Sequence, residues 1–507
     1  MLHIRAALVL VPVFTIGCGG GDGGGDAEAG DESSDVEQDV GEDAADAPDR
    51  LDRPEADDGG GEVPASCGDG VVQDPEECDD ANAADGDGCA GCAVEERWSC
   101  SGQPSTCERL GDYHVAPDGD DAASGDLLHP FATLNRAWAA VEAGDLVYVR
   151  GGTFAFDEQQ NLTGKSGTAE NPIRVWAYPG ETPVLSRSAS YAANQGLLFT
   201  GDYVHFRGLV LTGYEQKPVA EGGGNVSAGL RVRDASHNVF ERIDSHHNGH
   251  GMRIENASDD NLVLNCDFHH NQDPYTTPDT FGNADGLEIC YIPAGLSNTV
   301  RGCRFWWNTD DGIDLWDNDG NVVIDGCWAW NNGFVPDTAT EGGDGNGFKL
   351  GVTTVDLGSA VLRTLTRCLA FDNLGHGFDQ NGGLCSMTLF NNSAFANGHS
   401  GFAFGYSDAP MTATNNVSYR NTNDDDFSTA SVLDHNSWDG SVTVSDEDFA
   451  SVTPTGMDGP RQPDGSLPEL PFMRLASGSD LIDAGVDVGL PFAGTAPDLG
   501  AFETAGD

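Results

Sequence analysis

The stretch NTDDGIDLW (residues 308–316) sets an Asn four residues before a Gly, and this pair recurs down the chain. Asn returns at 248, 271, 308, 332, 373, 397 and 421, at spacings of 23, 37, 24, 41, 24 and 24 residues. Gly returns at 251, 286, 312, 347, 377 and 401. Most of the extra length of the two long units falls in two insertions, 272–284 and 333–345, each between an Asn and its Gly. Units this short, rich in Val, Ile, Phe, Asn and Gly, cannot bury a face alone and must stack. The pattern predicts an all-β solenoid, a parallel β-helix with one repeat per coil, coils ~4.8 Å apart and like residues above like.

Stacking turns the repeat into columns. The Asn is expected to form an amide ladder at a turn, and the Gly to mark a position of unusual φ. Cys266, Cys303, Cys327 and Cys368 each lie five residues before a ladder Asn and read as one interior column of unpaired thiols. Three residues after them, His269, Trp306, Trp330 and Phe371 form an aromatic column, either packed ring on ring or offered as a sugar platform. The pairs His246-His247 and His269-His270 read as turn residues, because no carboxylate or Cys completes a metal set in the sequence.

Aligned on the Gly, the preceding column reads His250, Asp285, Asp311, Asn346 and His376. The column two residues after it reads Arg253, Glu288, Asp314, Lys349 and Asp379. In GFKL (347–350), alternation turns Phe348 and Leu350 inward and Lys349 outward. Asp285, Asp311 and Asp314 therefore meet on one outer face, with Asp310 at the adjoining turn and Lys349 above Asp314. Carboxylates this close repel unless protonated or bound to a cation. An all-oxygen set suits Ca²⁺ rather than zinc. The competing reading is a solvated acidic stripe, but the acids converge on the lysine of the column, and both insertions enter beside it.

The 507 residues hold 83 Asp+Glu against 24 Lys+Arg, for a formal net charge of -59. Such a charge argues against nucleic acid or an anionic membrane surface as partner. No stretch after residue 17 is long and apolar enough to span a bilayer. Residues 1–18 read as a secretory signal, with Arg5 ahead of an apolar run and Thr15-Ile-Gly-Cys18 resembling a bacterial lipobox; an ordinary cleaved signal is the alternative. Residues 19–66, net -15 and almost devoid of large apolar side chains, read as a disordered acidic tether.

Residues 67–110 place Cys67, Cys78, Cys89, Cys92, Cys100 and Cys107 in a small disulfide-rich module whose pairing the sequence leaves open. Zinc is the lesser reading, since Cys89-x-x-Cys92 lacks a matching second pair. The module resembles a cysteine-rich repeat common on myxobacterial surface proteins. Residues 111–507 form the solenoid domain. At its start, 130–141 reads as a short capping helix with Leu134, Trp138 and Val141 on one face, followed by a strand at 146–149.

NADGLEI (283–289), NTDDGIDLW (308–316), GCWAWNNG (326–333), GDGNGFKLG (343–351) and GFDQN (377–381) resemble family nine polysaccharide lyases, the pectate lyases with a right-handed parallel β-helix. The resemblance covers roughly 112–505 and is weakest before 200. It implies that Asp285, Asp310, Asp311 and Asp314 hold Ca²⁺ and that Lys349 is the catalytic base. It further implies β-elimination on an acidic polysaccharide such as polygalacturonate, an absolute Ca²⁺ requirement and an alkaline optimum. The expected protein is a monomer, secreted or held as a lipoprotein on the outer surface of a Gram-negative bacterium. Two other readings keep the same face: a non-catalytic glycan-binding adhesin, or a lyase or epimerase acting on another uronate such as alginate. An adhesin would need the Asp cluster but not the lysine.

Overall fold

The repeat closes into three parallel sheets, each taking every third strand of the chain, as a computed structural model of the protein shows. The structure describes residues 67–504 apart from 83, 85–86, 96, 194, 219 and 221–225. The signal, Cys18 and the acidic tether lie outside the described residues. Among the described residues one sheet has 12 strands, from Tyr113–Val115 to Val432–Asp434, and the other two have 10 each. The register is strict where the site lies: Arg231, Arg253, Glu288, Asp314, Lys349 and Asp379 pair in succession on neighbouring coils. Phe348 and Leu350 are fully buried, as alternation requires.

The amide ladder forms as expected. Asn308 Nδ2 donates to Asn332 Oδ1 at 3.0 Å, and Asn332 Nδ2 to Asn373 Oδ1 at 2.9 Å. Each ladder amide also reaches a backbone carbonyl, as Asn332 Nδ2 does to Phe305 O at 3.1 Å. A buried turn thereby satisfies polar groups that water cannot reach. The cysteine column is free and buried, and Asn392 continues it by accepting from Cys368 N at 2.9 Å.

The recurring Gly has another cause than the one expected. None of Gly251, Gly286, Gly312, Gly347, Gly377 and Gly401 has a positive φ. The left-handed residues are those just before the ladder Asn, including His247 (φ 53), His270 (φ 56) and Trp307 (φ 55). Gly is needed for closeness instead. A Cβ at Gly312 would lie 2.5 Å from Gly347 O and 3.0 Å from Asn332 Nδ2. The coil-to-coil approach at the ladder leaves no room for a side chain.

The helix is Leu134–Ala140, shorter than 130–141, because Thr133 caps it and its hydroxyl accepts from Arg136 N. Leu134, Trp138 and Val141 are buried, with Trp138 edge-on to Phe199. In the module ahead of it, disulfides join Cys67 to Cys92, Cys78 to Cys89 and Cys100 to Cys107, which leaves none of these thiols for zinc. The Gly68-Asp69-Gly70 stretch folds as a turn on buried Asp79, which accepts from the amides of Gly68, Gly70 and Ala81. Tyr148 Oη donates to Arg109 O at 3.0 Å and so ties the module to the first coils.

The aromatic column packs ring on ring. Trp306 and Trp330 stack at 4.9 Å and 2°, and Trp330 on Phe371 at 5.6 Å and 5°. Phe449, Met457, Phe472 and Leu475 of the C-terminal segment cover it, leaving Trp306 6 % exposed. Arg304 anchors this cover by donating to Met457 O at 2.9 Å while paired with Asp267 at 2.7 Å. Burial removes the sugar-platform reading of this column.

Candidate active site

Short strands of one 10-stranded sheet present the site, Leu287–Cys290, Ile313–Asp314 and Phe348–Lys349, together with the turns before them. Each turn is pinned by the ladder Asn and the close Gly, so the acids that flank the Gly occupy equivalent places on successive coils. Asp285, Asp310, Asp311, Asp314 and Lys349 are all brought together, and all are buried. Asp285, Asp311 and Asp314 each offer an oxygen within 4.8 Å of the others, and so do Asp310, Asp311 and Asp344.

Lys349 leans toward Asp311. Its Nζ is 2.8 Å from Asp311 Oδ2, 3.1 Å from Asp344 Oδ2 and 3.3 Å from Asp314 Oδ2. In-register Asp379 instead accepts from Asn381 N at 2.8 Å. Asp311 is fixed further by Asn346, whose N and Nδ2 donate to Oδ1 at 2.6 and 3.0 Å. Asp285 Oδ1 accepts from Asp311 N at 3.1 Å.

The electrostatics is that of a cluster short of positive charge. Burial pushes the Asp285 carboxyl well above the usual range, with Asp311 and Glu288 adding repulsion. Burial does the same to Asp310 and Asp314, and raises Asp311. Burial opposes the charge on Lys349, yet Asp311, Asp314, Asp310 and Asp285 outweigh it and hold the ammonium well above its ordinary range. Buried Asp314 Oδ1 has no hydrogen-bond partner. A cation seated among these oxygens would relieve both imbalances, and the all-carboxylate donor set is one that a hard cation accepts. The residues therefore fit a bound metal ion.

The two insertions meet each other beside the cluster. A Cβ at Gly343 would lie 2.8 Å from Gly282 Cα and 2.3 Å from Asp310 Oδ1. Asp344 N donates to Asp310 Oδ1 at 2.7 Å, so the second insertion closes on both Asp310 and Lys349. Asp344 escaped the columns because it belongs to an insertion without a repeat partner.

The structure adds neighbours that stood in the columns without a role. His250 lies 3.5 Å from Asp285 and 3.6 Å from Glu288, and burial lowers its pKa. Arg253 bridges Glu255 and Glu288 at 3.0 and 3.1 Å, and Arg231 reaches Glu255 at 2.7 Å. With Lys349, Asp285 and Asp314 they line a cleft of about 570 Å³. Two exposed rings line it too, Tyr291 (42 %) and Trp316 (40 %), with centroids 5.5 Å apart. Trp316 closes the NTDDGIDLW motif, yet only the folded chain places it at the cleft mouth.

Residues 113–436 match a family model described as the Pel9A-like right-handed β-helix region. Pectate lyase L of Dickeya chrysanthemi is 33 % identical over 410 residues, covering 77 % of this chain and 90 % of that protein. Pectate lyase PEL9 of Emericella nidulans is 33 % identical over 403 residues, covering 73 % and 93 %. Among solved structures, that of pectate lyase Pel9A matches with a TM-score of 0.65 at 33 % identity, covering 77 % of this chain and 96 % of the other. A rhamnogalacturonan lyase matches with a TM-score of 0.63 at 26 % identity, covering 72 % and 96 %. A family match over most of the solenoid, joined to relatives of this identity and coverage, makes the conclusion direct: the chain belongs to the Pel9A-like right-handed β-helix family and is a pectate lyase-like polysaccharide lyase.

Proposed function

We propose that the chain cleaves polygalacturonate by Ca²⁺-dependent β-elimination, with Lys349 as the base that removes the C5 proton of a uronate. The observation that carries this reading is a single buried lysine facing a partly unsatisfied carboxylate cluster in an open cleft. Asp285, Asp310, Asp311 and Asp314 would hold the Ca²⁺. When bound, the ion supplies positive charge to the substrate carboxylate, which makes the neighbouring C5 proton more acidic. Asp311, Asp314 and Asp344 aim the Lys349 amine, and Phe348 and Leu350 fix its strand from below. An amine accepts a proton only when neutral, so turnover should rise into the alkaline range. Arg253 and Arg231, one and two coils before Glu288 in the register, are placed to meet further uronate carboxylates along the solenoid. Tyr291 and Trp316 offer ring faces to sugar.

The lysine distinguishes an enzyme from an adhesin, because simple glycan binding gives no reason to bury an amine among the acids. A second polymer has support from the rhamnogalacturonan lyase likeness. The deciding experiment mixes the protein with polygalacturonate, rhamnogalacturonan and alginate, with Ca²⁺ or with excess chelator, and follows unsaturated ends by ultraviolet absorbance. Ca²⁺-dependent absorbance with polygalacturonate is expected. Equal activity in chelator, or full activity of Lys349→Ala, overturns the mechanism.

We also propose export, with residues 1–18 as signal, 19–66 as tether, 67–110 as the disulfide module and 111–507 as the lyase domain. The three disulfides support passage through an oxidising compartment. Among the described residues no helix is long and apolar enough to cross a membrane. Attachment through a lipidated Cys18 to a Gram-negative outer surface, and a monomeric state, belong to the same proposal.

A further inference from the structure

We propose that His246, His269 and Asp244 form a second metal site, away from the acidic cluster, for a divalent transition-metal ion of the zinc class. The sheet carrying strands Asp244–His246 and Asp267–His269 is a different one from that of Lys349. Parallel pairing sets His246 directly against His269, and the rings stack at 4.8 Å and 16°. Asp244 lies two residues before His246 and so on the same face of the strand. Its Oδ1 is 3.1 Å from His269 Nε2. One ligand atom from each of the three residues lies within 4.8 Å of the others. The carboxylate that the sequence reading found missing is supplied by the register.

The surroundings orient these rings as ligands are oriented. His246 Nδ1 is taken by His247 Nδ1 at 2.7 Å and Thr212 Oγ1 at 3.1 Å, and His269 Nδ1 by His270 Nδ1 at 2.7 Å. Engagement of Nδ1 leaves Nε2 of each ring as the ligating atom, that of His269 already facing Asp244 Oδ1, and such a partner on the other nitrogen fixes the tautomer. His247 and His270, both in the left-handed region, stack at 5.2 Å and hold the second row. Trp306 backs His269 at 4.1 Å. Side-chain exposures of 40 % for Asp244 and 16 % for His269 leave an entry from solvent. Two imidazoles and one carboxylate with an open position suit zinc and its neighbours and suit Ca²⁺ poorly. Such an ion would clasp two coils.

The test uses the full chain, stripped of metal and held in millimolar Ca²⁺ to saturate the acidic cluster. Zn²⁺ is titrated calorimetrically and counted by elemental analysis after dialysis. One equivalent should bind at micromolar free Zn²⁺, with zinc-edge X-ray absorption showing two imidazole ligands. His246→Gln and Asp244→Asn should each weaken binding by about tenfold or more, while His435→Gln, an exposed histidine paired with Asp434, should not. Asp244→Asn guards against misfolding as an explanation, because its side chain is partly exposed, and its melting temperature without zinc should equal that of the unchanged protein. Absence of a bound equivalent, or undiminished binding in both variants, overturns the site.

Discussion

Lys349 Nζ sits 2.8 Å from Asp311 Oδ2, a contact between buried side chains one coil apart, although the residue paired with Lys349 in the sheet is Asp314. The acid before the Gly, rather than the one after it, takes the closest hold on the amine. Asn346 makes this so by donating twice to the other Asp311 oxygen. Lys349→Ala should lower kcat by about 10²–10⁴-fold, the usual worth of a general base. KM should hardly move. Steady-state ultraviolet assays with polygalacturonate in saturating Ca²⁺ measure both.

Removing Ca²⁺ should abolish turnover and lower the melting temperature, because an ion bound only by the folded state stabilises it by mass action. In Asp314→Asn one cluster oxygen becomes a neutral amide group, so half-maximal activity should require at least several-fold more Ca²⁺. Ca²⁺ titrations of activity and of melting temperature should shift together. A shift in one alone would separate the metal from catalysis.

Trp316→Ala removes one of the two exposed rings of the cleft, the one set edge-on to Tyr291. KM for polygalacturonate should rise about 5- to 30-fold with kcat nearly unchanged, consistent with the loss of about 1–2 kcal/mol of ring contact.

Gly312→Ala tests the close approach of the coils. Its Cβ would lie 2.5 Å from Gly347 O, and a backbone carbonyl cannot swing away as a side chain can. Overpacking of this kind costs about 1–3 kcal/mol, read as a lower denaturation midpoint with an unchanged m-value.

Asp425 carries a pH signature. Its Oδ1 accepts from Phe402 N at 2.8 Å and Ser418 Oγ at 3.0 Å, and burial pushes its pKa up to about 6. In the unfolded chain it titrates near 4. The folded state therefore keeps a proton that the unfolded state has lost, and stability falls as pH rises from about 4 to about 6. Asp425→Asn retains an oxygen for both donors and does not ionise. It should melt higher than the unchanged protein at pH 8, by roughly 1–3 kcal/mol of stability, and no higher at about pH 4. Thermal unfolding across this range decides it.

Much of this molecule was legible because a solenoid converts sequence period into spatial adjacency. Asn308, Asn332 and Asn373 form the expected ladder, and Asp285, Asp311, Asp314 and Lys349 fall together, since fixed spacing places like above like. Periodicity alone misassigned the Gly. A recurring glycine looks the same whether it serves φ or closeness, and only the distance to the next coil tells them apart.

What lay outside the repeat needed the folded chain. Asp344 reaches Lys349 from an insertion whose path no period describes. The Trp306 column was expected correctly as a stack, but the segment that buries it lies more than a hundred residues later, beyond the reach of any local pattern. Asp244 completes the histidine cluster through strand register. The sequence by itself determined the coil, its columns and the acids converging on one lysine, because repeat length dictates which side chains stack. The tertiary structure decided which acid grips that lysine, where the insertions close and which rings meet solvent, because these follow from side-chain direction and long-range packing.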